Sequence, residues 1–228
     1  MSFRYRGDEL PLMAQAVRWK SYVADHVRPY LGSSVLEVGA GIGSNIPYLL
    51  GAPVQRWTAL EPDPVQAARI ADRRVRVIVG TLGALDAAER FDTILYLDVL
   101  EHIEDDAAEL RHAASHLAPG GRLVVLAPAH PFLFSPMDAA IGHYRRYTTA
   151  RLRTLTPAAC RLERLIQLDA AGFCAALANR LVLHAACLSP RQVRLWDGVL
   201  VPVSRRLDRL LRHRFGKTVL AVWRRGEG

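Results

Sequence analysis

The stretch "VLEVGAGIGS", residues 35–44, decides how this chain is read. An apolar run ends in Gly39, Gly41 and Gly43, and "GSNIPYLLG" then opens a helix. Strand, glycine turn and helix in that order gather backbone N–H groups and a helix N-terminus around a ligand. The turn alone serves several nucleotide folds, so the neighbouring acid discriminates. Glu37 stands two residues before Gly39, where its carboxylate repels a pyrophosphate and suits a ligand carrying positive charge. The spacing also departs from G-x-G-x-x-G, with Ser44 in the last slot. A nicotinamide oxidoreductase is disfavoured on both counts.

Outward from this stretch the chain alternates strand and helix, the pattern of a parallel sheet with crossover helices. Residues 10–31 read as one amphipathic helix, with Pro11 at its start and Gly32 past its end. After "SVLEVG" come "WTALE" (57–61), a helix over 63–73, and the strand "VRVIVG" (75–80). "FDTILYLD" (91–98), a helix over 105–118, the turn "PGG" (119–121) and the strand "RLVVLAPA" (122–129) follow. Residues 129–147 form a long loop, a length that in a compact domain signals function. A short helix over 148–159, which Thr148 is placed to cap, leads to the strands "RLERLIQLDAAGF" (161–173) and "KTVLAVWRR" (217–225). Between these two lies a mostly helical, arginine-rich insertion.

Composition bounds the answer. Half of the 228 residues are apolar, enough for a sizeable core in one domain. "MSFRYRGDEL" has no apolar h-region and does not read as a signal peptide. "FCAALANRLVLHAACL" (173–188) is too short and too polar to span a membrane. Cys160, Cys174 and Cys187 have no CxxC spacing and read as reduced core residues of a cytoplasmic protein. The net charge of +8 invites nucleic acid or anionic lipid as a partner. Arginine greatly outnumbers lysine, a bias that GC-rich coding also produces.

Glu61 ends the second strand, where a carboxylate takes both ribose hydroxyls or caps the next helix. With these motifs in place, the chain resembles the class I S-adenosylmethionine-dependent methyltransferases over roughly residues 15–170. "VLEVGAGIG" is similar to their first motif and "ALEPD" to their second-strand acid. "FDTILYLDVLEHIEDD" and "LAPGGRLVVLAP" are similar to their fourth and fifth strands with flanks. The resemblance implies an α/β, Rossmann-like sheet of seven strands whose last is antiparallel, with a helical insertion between the last two. It divides a single domain, 1–228, into an N-terminal helical cap (1–32), a cofactor core (33–170), a lid or insertion (173–216) and a final strand (217–225). It implies S-adenosyl-L-methionine as cofactor. Glu37, Gly39, Ala40 and Gly41 would hold the methionine part and Glu61 with Pro62 the ribose. Thr81 and Leu82 would face the adenine, and Asp98 would lie near the ammonium. Many relatives carry Asp where this chain has Thr81, leaving the adenine contact to the backbone of Leu82.

The acceptor side rests on "DVLEHIEDD" and "IGHYRRYT" (141–148). A helical turn after the fourth strand would bring Asp98, Glu101 and His102 to one face. His143 lies in the loop after the fifth strand, also at the carboxyl end of the sheet. Two groups with a similar layout, the ubiquinone-biosynthesis O-methyltransferases and the small-RNA 2′-O-methyltransferases, imply a divalent cation. Its candidate ligands are Glu101, His102 and His143, with Asp98 as the first acid. The other readings are His102 or His143 as a metal-free base, with Asp138 orienting His143, or purely structural roles. His130 reads as a loop anchor as readily as a catalytic group. Tyr144 and Tyr147 are expected to wall the acceptor pocket. Arg145 and Arg146 are expected either to clamp an anionic group or to pair with loop acids.

In the insertion, Leu200, Val203, Leu207, Leu210 and Leu211 recur at helical spacing among Arg205, Arg206, Arg209 and Arg212, with Pro202 expected to break the helix. A lid, a homodimer surface and a membrane-facing element compete. The main expectation is O-methylation of a small or lipid-linked acceptor. RNA methylation and a non-catalytic S-adenosylmethionine-binding protein are the rivals. Against RNA stand the 7% aromatic content and the absence of an added RNA-binding module.

Overall fold

The computed structural model describes residues 10–178, 180–181 and 189–227. The helices α1 (Leu10–Met13) and α2 (Val17–Val27) precede β1 (Ser34–Val38), α3 (Ile46–Leu49), β2 (Arg56–Glu61), α4 (Pro64–Ala67) and β3 (Val75–Val79). Then come β4 (Phe91–Leu97), α5 (Asp106–Ser115), β5 (Leu117–Pro128), α6 (Pro136–Ala140), α7 (Thr149–Thr154) and β6 (Cys160–Leu168). The chain ends with α8 (Ala170–Ala178), α9 (Pro190–Leu195), α10 (Val201–Leu210) and β7 (Thr218–Arg225).

The seven strands form one sheet in the order β3-β2-β1-β4-β5-β7-β6. β1 to β5 pair in parallel, and β7 runs antiparallel to both β5 and β6. The strand order reverses at β1, so the carboxyl ends of β1 and β4 flank the crevice where such sheets bind ligands. Alternate residues feed two cores, one on each face. Leu95, Leu220 and Val222 join Trp57 on one side, while Ile94, Tyr96, Ala221 and Trp223 join Leu36 on the other. The helical insertion, α8 to α10, lies between β6 and β7 as expected.

Several local expectations are corrected. The single helix over 10–31 is two helices and a 3-10 turn. α2 restarts where a distant acid caps it: Arg18 and Trp19 donate their backbone N–H groups to Asp197 at 3.2 and 2.8 Å. The helix expected over 63–73 is one turn capped by Asp63. "PGG" lies inside β5, as an irregularity in its pairing with β4. β6 stops at Leu168 because Asp169 takes a φ of +68°, and residues 170–173 are helical. Pro202 does not break the insertion. α9 and α10 are joined by a widened turn, residues 196–200, and Pro202 sits in the first turn of α10. The carbonyl that an N–H at position 202 would take in an α-helix, Gly198 O, accepts instead from Arg18 Nη1 at 2.6 Å. Cys174 is exposed and Cys160 half-buried, so neither is a deep core residue, and Cys187 lies outside the described residues. Among the described residues, no helix is long and apolar enough to cross a membrane.

Candidate functional site

The cofactor half of the site is built on strand ends. Past β1, Gly39 and Gly41 take φ values of +65° and +57°, a backbone that side-chain-bearing residues adopt at a cost. A Cβ on Gly39 would stand 2.7 Å from Val99. The backbone N–H groups of Gly39 and Ala40 donate to Leu60 O, which fastens the loop to the end of β2. Glu61 completes that fastening. Its carboxylate accepts from Gly41 N at 2.7 Å and from Asp63 N at 2.8 Å. A carboxylate has about four lone-pair positions, so Glu61 retains acceptor capacity toward a bound ligand.

Glu37 is buried, and only one of its oxygens is partnered, by Asn45 Nδ2 at 3.3 Å. Oε2 has no hydrogen-bond partner among the described residues. Burial pushes this carboxyl up to about 7, against the opposing pull of Asn45 and Lys20. A buried acid with an unpartnered oxygen at the mouth of a glycine loop fits a cationic ligand group.

Lys20, on α2, was missed by reading the sequence. Its ammonium donates to Ser44 Oγ and Asn45 Oδ1, both at 2.9 Å, over the start of the glycine-loop helix. Burial lowers its pKa, while Asp98 and Glu37 pull it back up. A signal for it did exist. Only two of the 30 lysine and arginine residues are lysines, Lys20 and Lys217, and both lie near enough to Asp98 for their charges to act on it. Asp98 itself has a φ of +56° at the end of β4 and is exposed. The surrounding protein still raises its pKa, by desolvation. Thr81 is exposed after β3, whereas the Leu82 side chain is buried in the core and leaves only its backbone for a ligand. Pro62 is half-buried beside Glu61.

The acceptor half is assembled from loops. A 3-10 turn, Leu100–His102, follows β4 and presents Glu101 and His102. After β5, the stretch 129–147 is not structureless. It holds a 3-10 turn and α6, and returns to the sheet where Ala129 bridges Tyr147. Tyr144 N donates to Glu101 O at 2.8 Å, which joins the two loops. His102 and His143 meet edge to face with ring centroids 4.5 Å apart. His143 Nε2 stands 3.8 Å from Glu101 Oε1. One ligand atom from each of Glu101, His102 and His143 falls within 4.8 Å of the others.

Asp138 orients this cluster. It closes a capping box with Ser135 at the start of α6, accepts from His143 Nδ1 at 2.9 Å, and receives Arg146 through two bonds of 2.9 Å. Burial alone would raise its pKa, but the bonds from His143 and Arg146 outweigh that and hold it well below the usual carboxylate range. An ionised carboxylate only accepts, so Nδ1 of His143 carries the hydrogen and Nε2 is left facing Glu101. Burial and the neighbouring His143 push His102 down to about 4, so it is neutral near pH 7. Glu101 is 1% exposed and neither carboxylate oxygen has a hydrogen-bond partner among the described residues. Desolvation, with Asp98 adding to it, raises its pKa well above the ordinary value.

The structure corrects one expected substrate contact and matches the second alternative at two others. Tyr147 is fully buried, its hydroxyl 3.2 Å from Leu100 O and from Asp106, so it is a core residue and no pocket wall. Arg145 donates to Ile103 O and Glu104 O and pairs with Asp106 at 3.2 Å. With Arg146 held by Asp138, both arginines match the anchoring alternative. Tyr144 is exposed, with the Arg145 guanidinium 5.7 Å from its ring centre. His130 accepts the anchoring role, 2.9 Å from Gly216 O. Thr148 caps α7 through Arg151 N.

Comparison with known proteins places the same residues in a family context. Residues 15–193 match a family model described as a methyltransferase domain. The chain is 37% identical over 120 residues to the ubiquinone biosynthesis O-methyltransferase of Azorhizobium caulinodans, covering 48% of this chain and 46% of that protein. It is 32% identical over 164 residues to the demethylmenaquinone methyltransferase of Tropheryma whipplei, covering 70% of this chain and 63% of that one. It therefore spans about half to under two thirds of the length of these relatives. The N-methyltransferase NodS of Bradyrhizobium japonicum, solved with S-adenosyl-L-homocysteine, superimposes with a TM-score of 0.58 at 18% identity, over 92% of this chain and 88% of that one.

Proposed function

This chain belongs to the class I S-adenosylmethionine-dependent methyltransferases, and on that premise we propose that it methylates an oxygen of a small, lipid-like acceptor at Glu101, His102 and His143, with a divalent cation held there. The two curated relatives, named for quinone-type molecules, support the acceptor class. The observation that carries the cation is Glu101: a carboxylate buried to 1% exposure with both oxygens unpartnered among the described residues, beside two imidazoles. Leaving such a group unsatisfied costs several kcal/mol, roughly, and a cation relieves it.

S-adenosylmethionine supplies an activated methyl group on a good leaving group, so the protein's task is largely positioning. Glu37 Oε2 would take the methionine ammonium and Lys20 its carboxylate. Glu61 would accept from the ribose hydroxyls with the lone pairs that Gly41 and Asp63 leave open. Two carboxylate oxygens and two imidazoles suit Mg, Mn or Zn. A bound cation would acidify the acceptor hydroxyl. Asp138 holds the His143 ring in register and fixes its tautomer, the usual support for a metal-ligating histidine.

A second reading stands on the Asp138–His143 bond of 2.9 Å: His143 Nε2 takes the hydroxyl proton with no metal present. Turnover of S-adenosylmethionine with a catechol-type quinol separates the two. The cation reading expects EDTA to stop methyl transfer and added divalent metal to restore it. Turnover undiminished by EDTA would favour the histidine base. No transfer to any hydroxyl acceptor under either condition would overturn both.

A further inference from the structure

Helices α9 and α10, with the widened turn between them, present a surface of one sign. Residues 189–214 contain seven arginines and two acids. Both acids face inward. Asp197 caps α2, and Asp208 accepts from Tyr22 Oη and from the backbone of Asp169 and Ala170. Arg205 is taken by Asp25. The other six, Arg191, Arg194, Arg206, Arg209, Arg212 and Arg214, are exposed. None of them is in an ion pair with a described carboxylate.

Aliphatic side chains stand among these arginines. Leu195, Val199, Val203 and Leu210 are 60%, 52%, 39% and 78% exposed. Val199, Val203, Arg206 and Leu210 follow one another at i, i+4, i+7 and i+11, which is one stripe of a helix. A solvated basic face has no use for such a stripe, and a core face would not leave it in water.

We infer that this face seats on an anionic lipid bilayer. The aliphatic stripe enters the boundary between headgroups and acyl chains, and the flanking guanidiniums meet lipid phosphates. The chemistry fits a bilayer better than RNA. RNA would engage the arginines but leave the leucines and valines wet, and this face lacks exposed aromatic rings for base stacking among the described residues. The inference concerns where the protein sits and does not depend on methyl transfer.

Flotation of the full chain with vesicles tests it, in the absence of cofactor and acceptor. One set is phosphatidylcholine alone and the other mixes it about equally with phosphatidylglycerol. Wild type is expected to float with the anionic set and remain behind with the neutral one. R206E/R209E/R212E should lower the bound fraction by about tenfold or more, since each basic residue near the surface contributes appreciably. V203D/L210D, which leaves every arginine in place, should also lose binding, and this separates membrane insertion from mere charge. Thermal melts establish that each variant is folded. Equal flotation with both vesicle sets would overturn the inference. So would unchanged binding of V203D/L210D, or full displacement of the protein from anionic vesicles by a short RNA. Because no turnover is read, its failure would leave the proposed activity untouched.

Discussion

The two halves of the site are held in opposite ways. On the cofactor side, the backbone does the holding: Gly39 and Gly41 at positive φ, fastened to β2 through Leu60 O and the Glu61 carboxylate. On the acceptor side, side chains do it: Asp138 gathers Ser135, His143 and Arg146, while Arg145 and Tyr147 are drawn to Asp106. A site framed by backbone announces itself in a short run of glycines. One framed by side chains does not reveal which polar residues are spent on each other and which remain for a ligand. In "IGHYRRYT", five of the eight residues read as able to meet a substrate, and the structure ties three of them into the scaffold.

The largest effect should fall on Glu101, whose carboxylate has no hydrogen-bond partner among the described residues. Glu101→Gln is expected to lower kcat by about 10³-fold or more, the scale of losing a catalytic acid, base or metal ligand, with the melting temperature held or raised. A variant with near-normal turnover would break the contrast, since the acceptor half would then hold no reactive group at Glu101. On the cofactor side, Glu61→Ala should weaken S-adenosylmethionine binding by about 10- to 100-fold, because hydrogen bonds to a charged group are worth about 1.5–3 kcal/mol. Calorimetry reads this directly.

Next in size is Asp138→Asn, which leaves every ligand in place but loosens the one that orients them. It should cost about 10- to 100-fold in metal affinity, as removal of such supporting partners does. If Asp138 were only a helix cap, stability would fall while metal affinity held.

A smaller effect concerns pH on the cofactor side. Glu37 titrates at about 7 in the folded chain against an ordinary 4.5. A raised carboxyl stabilises the unliganded fold fully below the unfolded value and loses that contribution as pH rises from about 4.5 to about 7. Binding a cationic methionine group needs the ionised form, so cofactor affinity should rise across that same window and level off above it. Titrations at several pH values with wild type and Glu37→Gln check this, the variant being flat. The smallest effect belongs to Tyr147→Phe: about 1 kcal/mol of stability, the worth of a typical hydrogen bond, with KM for the acceptor unchanged. A raised KM would return Tyr147 to the pocket.

Much of the fold was readable because strand alternation and the glycine loop are local properties. Ala59, Leu95 and Val124 sit in strands that are buried on both faces, and such strands read as continuous apolar runs. What failed depended on distant partners. The restart of α2 at Val17 needs Asp197, and the passage through Pro202 needs Arg18. Lys20 carries no motif, because its place is set by how α2 crosses the glycine loop. Asp169 ends β6 with a positive φ held by Ser204, Trp196 and Lys217, three residues from elsewhere in the sequence. Tyr147 read as a pocket wall because nothing nearby showed that Asp106 and Leu100 would enclose its hydroxyl.

The most direct test of the central claim is calorimetric titration of Mn²⁺ into the full chain saturated with S-adenosylhomocysteine, wild type beside Glu101→Gln. The account predicts one binding event in the wild type and an affinity lower by about 100-fold in the variant, given the cost of removing a first-row metal's carboxylate ligand from a buried site. No saturable binding to the wild type, or equal affinities for the two proteins, would contradict it.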